Sequence, residues 1–222
     1  MPVNLTIWLK QIKMRSPGFS NKRITFFFFV VFFALAAAGS GAVCRVMAGE
    51  VTAMKKIVMV LPENKFRDEE FLRPKEIFEK NGIQVKSASA NTERARGTLG
   101  AVVKPDMLVS DIKIQDFDAV VFVGGEGAAQ YWDDPTAHKL AQDAARSNKV
   151  VAAICIAPVT LARAGVLKGK HATVWYSEAG QIEAQGAVYT ATGVKRDGRI
   201  VTASGPADAG KFAEEIIQAL AQ

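Results

Sequence analysis

Short apolar segments alternate with amphipathic ones from residue 55 to the end of the chain. Apolar runs of this length, bounded by proline or glycine, are typical of strands buried on both faces of a parallel sheet. Strands that alternate with helices predict an α/β sandwich with right-handed crossovers. The predicted buried strands are KKIVMVL, IQVKSAS, FDAVVFVGG and KVVAAIC, which begin at residues 55, 83, 117 and 149.

Helices are predicted where apolar residues recur every three or four positions. The first runs from Glu69 to Lys80 and ends at Asn81-Gly82. We expect its buried face to consist of Phe71, Leu72, Ile77 and Phe78. The other predicted helices cover residues 135–147, 158–164, 178–184 and 207–221.

Three further segments predict shorter strands. TLGAVVKPDMLVSD, from residue 98 to 111, is expected to form a strand pair that turns at Pro105-Asp106. KHATVW, from residue 170, is expected to form one strand. AVYTATGVKRDGRIVTAS, from residue 187, predicts two strands around Asp197-Gly198, because Asp-Gly between alternating runs favours a hairpin.

The first fifty residues have a different character. Basic residues precede an apolar run from Phe26 to Ala38, and small residues follow it, which is the order of a secretory signal peptide. We therefore expect residues 1–48 to be a signal peptide cleaved at Ala48 or Ala42, or an uncleaved signal anchor. The protein would then be exported, periplasmic or membrane-anchored through this segment alone. The alternative is translation from Met54, which would make the protein cytoplasmic.

The formal net charge of +6 comes almost entirely from this N-terminal segment. Six basic residues and one acid precede Val51, and charges of both signs are interspersed along the rest of the chain. Such a distribution is typical of an ordinary solvated surface, so we expect no nucleic-acid partner. The hydrophobic fraction of 49% is sufficient for a sizeable core.

Cys155 is the candidate for chemistry. It follows the apolar run VVAAI and precedes a predicted helix, so its thiol is expected at a sharp strand-to-helix turn, a nucleophile elbow. Peptide N–H groups at the start of that helix are expected to lower the pKa of the thiol. Cys44 lies in the leader, so a processed protein would have no second cysteine for a disulfide. The alternative is a buried structural cysteine.

Two other predicted strands end near chemically suggestive residues, and strand ends converge in an α/β sheet. Gly124 and Gly125 follow one strand, where their amides could donate to a substrate oxygen or merely form a turn. Asp68-Glu69-Glu70 begins the first helix, where acids also complement the helix dipole. His138 and His171 are interpreted as surface residues. No metal-ligand spacing, P-loop or dinucleotide fingerprint is present, so we expect no metal and no cofactor.

Several segments resemble the ThiJ/PfpI superfamily, in particular its Parkinson-associated deglycase branch. VVAAICIAPVTLARAGVLKGKHATV resembles the Ala-Ile-Cys elbow of these proteins, and VFVGGEGAAQYW resembles their Gly-Gly loop. RDEEFLRPKEIFEKNGIQV resembles their first helix, and DGRIVTASGPADAGKFAEEIIQAL resembles their closing strand and helix. The resemblance covers residues 54–220 and implies a flavodoxin-like α/β/α sandwich with a mostly parallel sheet, in a domain spanning residues 54–222.

The resemblance also implies roles for individual residues. Cys155 matches the reactive cysteine, and Glu70, four residues before Pro74, matches a glutamate whose protonated carboxyl donates to the sulfur. Gly125 and Ile156 match positions whose amides line an oxyanion pocket. Protease-like members carry a histidine where this chain has Ile156. A homodimer, or a larger assembly, is implied as well.

Three functions follow from these observations. The first is a glyoxalase or deglycase activity on reactive carbonyls such as methylglyoxal or its adducts, with Cys155 as nucleophile and Glu70 as acid and base. The second is a redox-sensing or chaperone-like stress protein in which Cys155 is oxidised. A cysteine peptidase ranks last, because Ile156 leaves the thiol without an adjacent base.

Overall fold

The computed structural model describes residues 54–222. The predicted leader, its cleavage positions and Cys44 lie outside the described residues. Among the residues described, no helix is both long enough and apolar enough to cross a membrane.

The described part of the chain forms twelve strands and five α-helices. The first six strands are β1 (Lys56–Val60), β2 (Asn64–Phe66), β3 (Gln84–Ser89), β4 (Ala95–Gly97), β5 (Val102–Val103) and β6 (Met107–Leu108). The others are β7 (Ala119–Phe122), β8 (Val150–Ile154), β9 (His171–Ala172), β10 (Val188–Tyr189), β11 (Val194–Asp197) and β12 (Ile200–Ala203). The helices are α1 (Asp68–Lys80), α2 (Pro135–Arg146), α3 (Pro158–Arg163), α4 (Ala179–Ala184) and α5 (Ala209–Leu220).

Seven strands form the central sheet, in the order β11-β12-β8-β7-β1-β3-β6. All neighbours pair in parallel except β11 and β12, which form the hairpin predicted around Asp197-Gly198. The mostly parallel sheet is therefore confirmed. The central strands β7 and β8 are apolar at every position because both of their faces are covered.

The two faces of the sheet carry separate cores. Val58 and Val60 of β1 point to the core that contains α2 and α3, whereas Ile57 and Met59 point to the core that contains α1 and α5. This alternation follows from the two-residue period of a strand. The layers are thus helix, sheet, helix, which confirms the predicted α/β/α sandwich.

Three details differ from the sequence-based expectations. Leu72 is 48% exposed, because Glu70, Phe71, Pro74 and Phe78 supply the buried face of α1. Residues 98–111 do not form a strand pair, since β5 pairs with β4 while β6 joins the central sheet beside β3. KHATVW contributes only the two residues of β9, which pair with β10 outside the central sheet.

The side chain of Asp106 explains why β6 pairs with β3 and not with β5. Its carboxylate accepts hydrogen bonds from both the N–H and the hydroxyl of Ser87, each at 2.8 Å. Ser87 lies in β3, so these bonds dock the turn before β6 onto the central sheet. An anchor of this kind depends on residues distant in sequence, and the local pattern cannot show it.

Asp68 anchors the small sheet β2-β4-β5 in a similar way. Its buried carboxylate accepts the N–H groups of Leu99 at 2.8 Å and Ala101 at 2.6 Å. Gly97 makes room for it, because a Cβ there would lie 2.5 Å from both carboxylate oxygens. These contacts fix the start of α1, and Glu70 lies two residues further along that helix.

Candidate active site

Cys155 occupies the predicted turn between β8 and α3. Its φ of 63° lies in the left-handed region, which costs a non-glycine residue about 1–2 kcal/mol. Two hydrogen bonds hold this backbone: the N–H of Cys155 donates to the carbonyl of Ala203 at 2.9 Å, and its carbonyl accepts the N–H of Trp175 at 2.8 Å. Surrounding structure therefore maintains a strained residue, as is common at functional sites.

The carboxyl group of Glu70 lies beside this thiol. Glu70 is completely buried, and neither of its oxygens makes a hydrogen bond of good geometry with any residue between 54 and 222. The thiol of Cys155 and the N–H of Gly124 are nevertheless close enough to act on its ionisation. A buried carboxyl with so few partners is costly for the fold, which points to a chemical role rather than a stabilising one.

Gly124 lies between these two side chains. A Cβ at this position would be 2.5 Å from the Cβ of Cys155 and would overlap Oε2 of Glu70. The absence of a side chain therefore lets the nucleophile and the carboxyl approach each other. Gly125 follows with a φ of 96°, which glycine adopts without strain.

Burial raises the pKa of Glu70 to about 8, so this carboxyl is mostly protonated at neutral pH. Burial, together with negative charge on Glu70, raises the pKa of Cys155 to about 12. The N–H groups of Gly125 and Ile156 act in the opposite direction, because they donate towards the sulfur. The lowered thiol pKa expected from the start of α3 is thus wrong: desolvation outweighs the amides.

The two groups form one proton-sharing pair. Protonation of Glu70 removes the charge that opposes ionisation of Cys155, and it leaves a donor facing the sulfur. Because the pKa of Glu70 is the lower of the two, the first negative charge of the pair lies mainly on the carboxylate. The amides of Gly125 and Ile156 favour the other form, in which the sulfur is ionised and Glu70 keeps the proton. A thiolate beside a carboxylic acid can attack an electrophile and then supply it with a proton.

A pocket opens over this pair. The five residues proposed from the sequence lie together: Cys155, Glu70, Gly125 and Ile156 line the pocket, and Gly124 lies against Glu70 and Cys155. His138 and His171 are not in its lining; His138 is half-buried and bonds to a backbone carbonyl, and His171 is exposed.

Trp132, Trp175 and Arg67 also line the pocket, and sequence reasoning did not select them. A signal for Trp175 existed, since KHATVW ends at this residue and strand ends converge. Within residues 54–222, no group of three or more His, Cys, Asp or Glu side chains is arranged to hold a metal ion.

An α/β/α sandwich with a cysteine at its strand-to-helix elbow and a buried glutamate beside it defines a class of cysteine-centred proteins. The DJ-1/PfpI family matches residues 55–219, and the chain belongs to that family. An uncharacterised protein of Methanocaldococcus jannaschii is 38% identical over 168 residues, covering 74% of this chain and 82% of the relative. The glutathione-independent glyoxalase DJR-1.2 of Caenorhabditis elegans is 26% identical and covers 77% of this chain and 91% of its own.

Among solved structures, a ThiJ/PfpI domain protein from Brachyspira murdochii superposes with a TM-score of 0.74. It is 33% identical, with 76% of this chain and 97% of the other covered. Other relatives are named deglycases, and one from Bacillus subtilis bears the name of a candidate cysteine protease. Proteins named glyoxalase and deglycase therefore occur among the relatives.

Proposed function

We propose that this chain is a cysteine-dependent enzyme of the glyoxalase or deglycase type, acting on α-oxoaldehydes such as methylglyoxal or on their adducts. The observation that carries the proposal is the buried carboxyl of Glu70, which faces the Cys155 thiol without a well-formed hydrogen bond. The relatives named glyoxalase and deglycase support the same class of reaction.

The first step would be attack of the Cys155 thiolate on the aldehyde carbon. A C–S bond forms, and the carbonyl electron pair moves to the oxygen, which the amides of Gly125 and Ile156 in the pocket lining would stabilise. Glu70 gives its proton to this oxygen, so the products are a hemithioacetal and a Glu70 carboxylate.

Glu70 would then act as a base. It removes the proton from the former aldehyde carbon and returns a proton to the neighbouring carbon, while the hydroxyl proton passes to the former ketone oxygen. The hemithioacetal thereby becomes a thioester of the hydroxy acid. Water hydrolyses the thioester and restores the thiol. The sum is methylglyoxal plus water giving lactate and a proton, with no external oxidant or reductant.

Lactate formation from methylglyoxal tests the proposal. Wild-type protein is expected to form lactate, whereas Cys155→Ala should lose the activity and Glu70→Gln should reduce it at least a hundredfold. Glu76→Gln is the matched control, since Glu76 lies on the same helix but is solvated and paired with Lys80 and Arg73. Equal rates for wild type and Cys155→Ala would overturn the proposal.

The same pair favours a second candidate, a peroxide-sensing protein. Peroxide would oxidise the thiolate to a sulfenate and then, with a second equivalent, to a sulfinate, to which protonated Glu70 could donate. Intact mass after mild peroxide treatment measures this. Selective gain of two oxygens at Cys155, without lactate formation, would favour the sensor over the enzyme.

A further inference from the structure

Two tryptophans form hydrogen bonds to the strand-to-helix turn that contains Cys155. The backbone N–H of Trp175 donates to the carbonyl of Cys155 at 2.8 Å. The indole N–H of Trp132 donates to the carbonyl of Ile156 at 3.2 Å. Both tryptophans line the pocket that contains Cys155. Each tryptophan is therefore hydrogen-bonded to Cys155 or to the residue that follows it.

The ring of Trp175 is held in place. It packs against Gly205, where a Cβ would come within 2.9 Å of two ring carbons. The neighbouring ring of Tyr176 lies at a centroid distance of 5.2 Å and a tilt of 43°. Trp175 remains 38% exposed, so part of its ring is free to meet a ligand.

The ring of Trp132 is also fixed. The guanidinium of Arg163 lies 5.2 Å from its centroid. Arg163 is itself anchored by Asp133 and by Gln181, each at 2.6 Å. A ring that is already ordered loses little conformational entropy when a ligand stacks on it.

The charges around the pocket do not favour an anionic ligand. Arg67 is paired with Glu69 at 2.9 Å, and Glu126 is paired with Lys65 at 2.8 Å. Glu178 also lines the pocket and has no cationic partner among the residues described. The remaining wall includes the apolar side chains of Ile156, Ala129 and Pro206. An uncharged, flat substituent suits such a lining better than a carboxylate or phosphate.

Building on the proposed function, we infer that Trp132 and Trp175 are specificity-determining residues. They select α-oxoaldehydes whose substituent is flat, apolar and uncharged, such as phenylglyoxal, over methylglyoxal. Stacking and burial of a phenyl ring against a fixed indole should raise kcat/KM about tenfold or more over the methyl compound, which is within the range that apolar pockets achieve.

Steady-state kinetics with phenylglyoxal and methylglyoxal test this inference. The ratio of the two kcat/KM values should exceed about ten in wild type and fall at least about fivefold in Trp175→Ala, chiefly through the KM for phenylglyoxal. Trp175→Phe should keep most of the preference. Val188→Ala is the control, because Val188 is 45% exposed and outside the pocket lining. An unchanged ratio in Trp175→Ala, or equal losses with both substrates, would overturn the inference.

A binding measurement separates this inference from the proposed reaction. In Cys155→Ala, quenching of tryptophan fluorescence would compare 2-hydroxyacetophenone with hydroxyacetone, two ketones without an aldehyde group. Tighter binding of the aromatic ketone, lost in the additional Trp175→Ala variant, supports the inference even if neither aldehyde is turned over. Turnover of both aldehydes with no preference in kinetics or binding would refute the inference and leave the proposed reaction standing.

Discussion

Replacement of Glu70 by glutamine should remove a loss of stability that the wild type suffers as the pH rises to neutral and mildly basic values, while it reduces the proposed activity about a hundredfold or more. The carboxyl is completely buried, and burial raises its pKa to about 8. In the unfolded chain the same carboxyl ionises near pH 4.3. Glutamine has a similar size and shape but carries no charge at any pH, so it removes the cost of ionisation.

The sign of the effect follows from proton binding. Between about pH 4.3 and 8 the folded protein holds a proton on Glu70 that the unfolded chain has released. Stability due to this group is therefore complete below pH 4.3 and declines as the pH rises. Each pH unit costs about 1.4 kcal/mol, so the wild type should have lost about 3–4 kcal/mol at pH 7 relative to acid, a loss that Glu70→Gln escapes.

Urea unfolding between pH 4 and 8.5 measures this difference. The free energy of unfolding of Glu70→Gln minus that of wild type should rise steadily across the window and level off above about pH 8. Any penalty from the unpaired amide of glutamine shifts this curve by a constant and leaves its slope unaltered. The matched control, Glu76→Gln, should show no such rise, because the pKa of exposed Glu76 is lowered by Lys80 and Arg73.

Parallel pH profiles for wild type and Glu70→Gln would refute the reasoning. They would mean that Glu70 is ionised in the folded protein over most of this range. The acid-and-base role proposed for Glu70 would then lose its physical basis, since no proton would be held beside Cys155 at neutral pH.

Two further outcomes are expected from the geometry of the elbow. Gly124→Ala should abolish lactate formation and lower the free energy of unfolding by about 2 kcal/mol, because its Cβ would lie 2.5 Å from that of Cys155. Gly210→Ala should do neither, because its Cβ would meet no atom of the described part of the chain within 4 Å. Cys155→Gly should be more stable to urea than Cys155→Ala by about 0.5–1 kcal/mol, because glycine adopts a φ of 63° without strain. Equal stability of these two variants would show that the elbow is not strained.

Most of the fold could be predicted because its strands are buried on both faces. A strand such as β8 is apolar at every position, and the residue after it must begin a turn. The predictions failed where distant polar contacts decide the pairing. Asp106 binds Ser87 and so carries β6 to the central sheet, a contact 19 residues apart that no local pattern records.

Less of the candidate site than of the fold could be predicted from the sequence. Cys155, Gly124 and Gly125 could be selected because strand ends converge, but only the family resemblance pointed to Ile156 and singled out Glu70 from the neighbouring acids. In the structure these acids differ sharply. Asp68 anchors backbone amides, Glu69 pairs with Arg67, and Glu70 alone faces the thiol. Their separation follows from the 100° turn between successive helical residues, combined with the fixed start of α1.

The pKa of Cys155 was expected to be lowered and is instead raised, and this error matters most for the mechanism. The expected decrease in the thiol pKa included the effect of the amides at the start of α3 but not the effect of burial, which removes water from around the sulfur. With desolvation included, neither Cys155 nor Glu70 readily carries a charge alone, and each depends on the proton of the other. Nucleophile activation in this protein is then a property of the pair. It requires Glu70 to remain protonated while the sulfur ionises, so a change that rehydrates the carboxyl should weaken the nucleophile even if Cys155 and its amides stay in place.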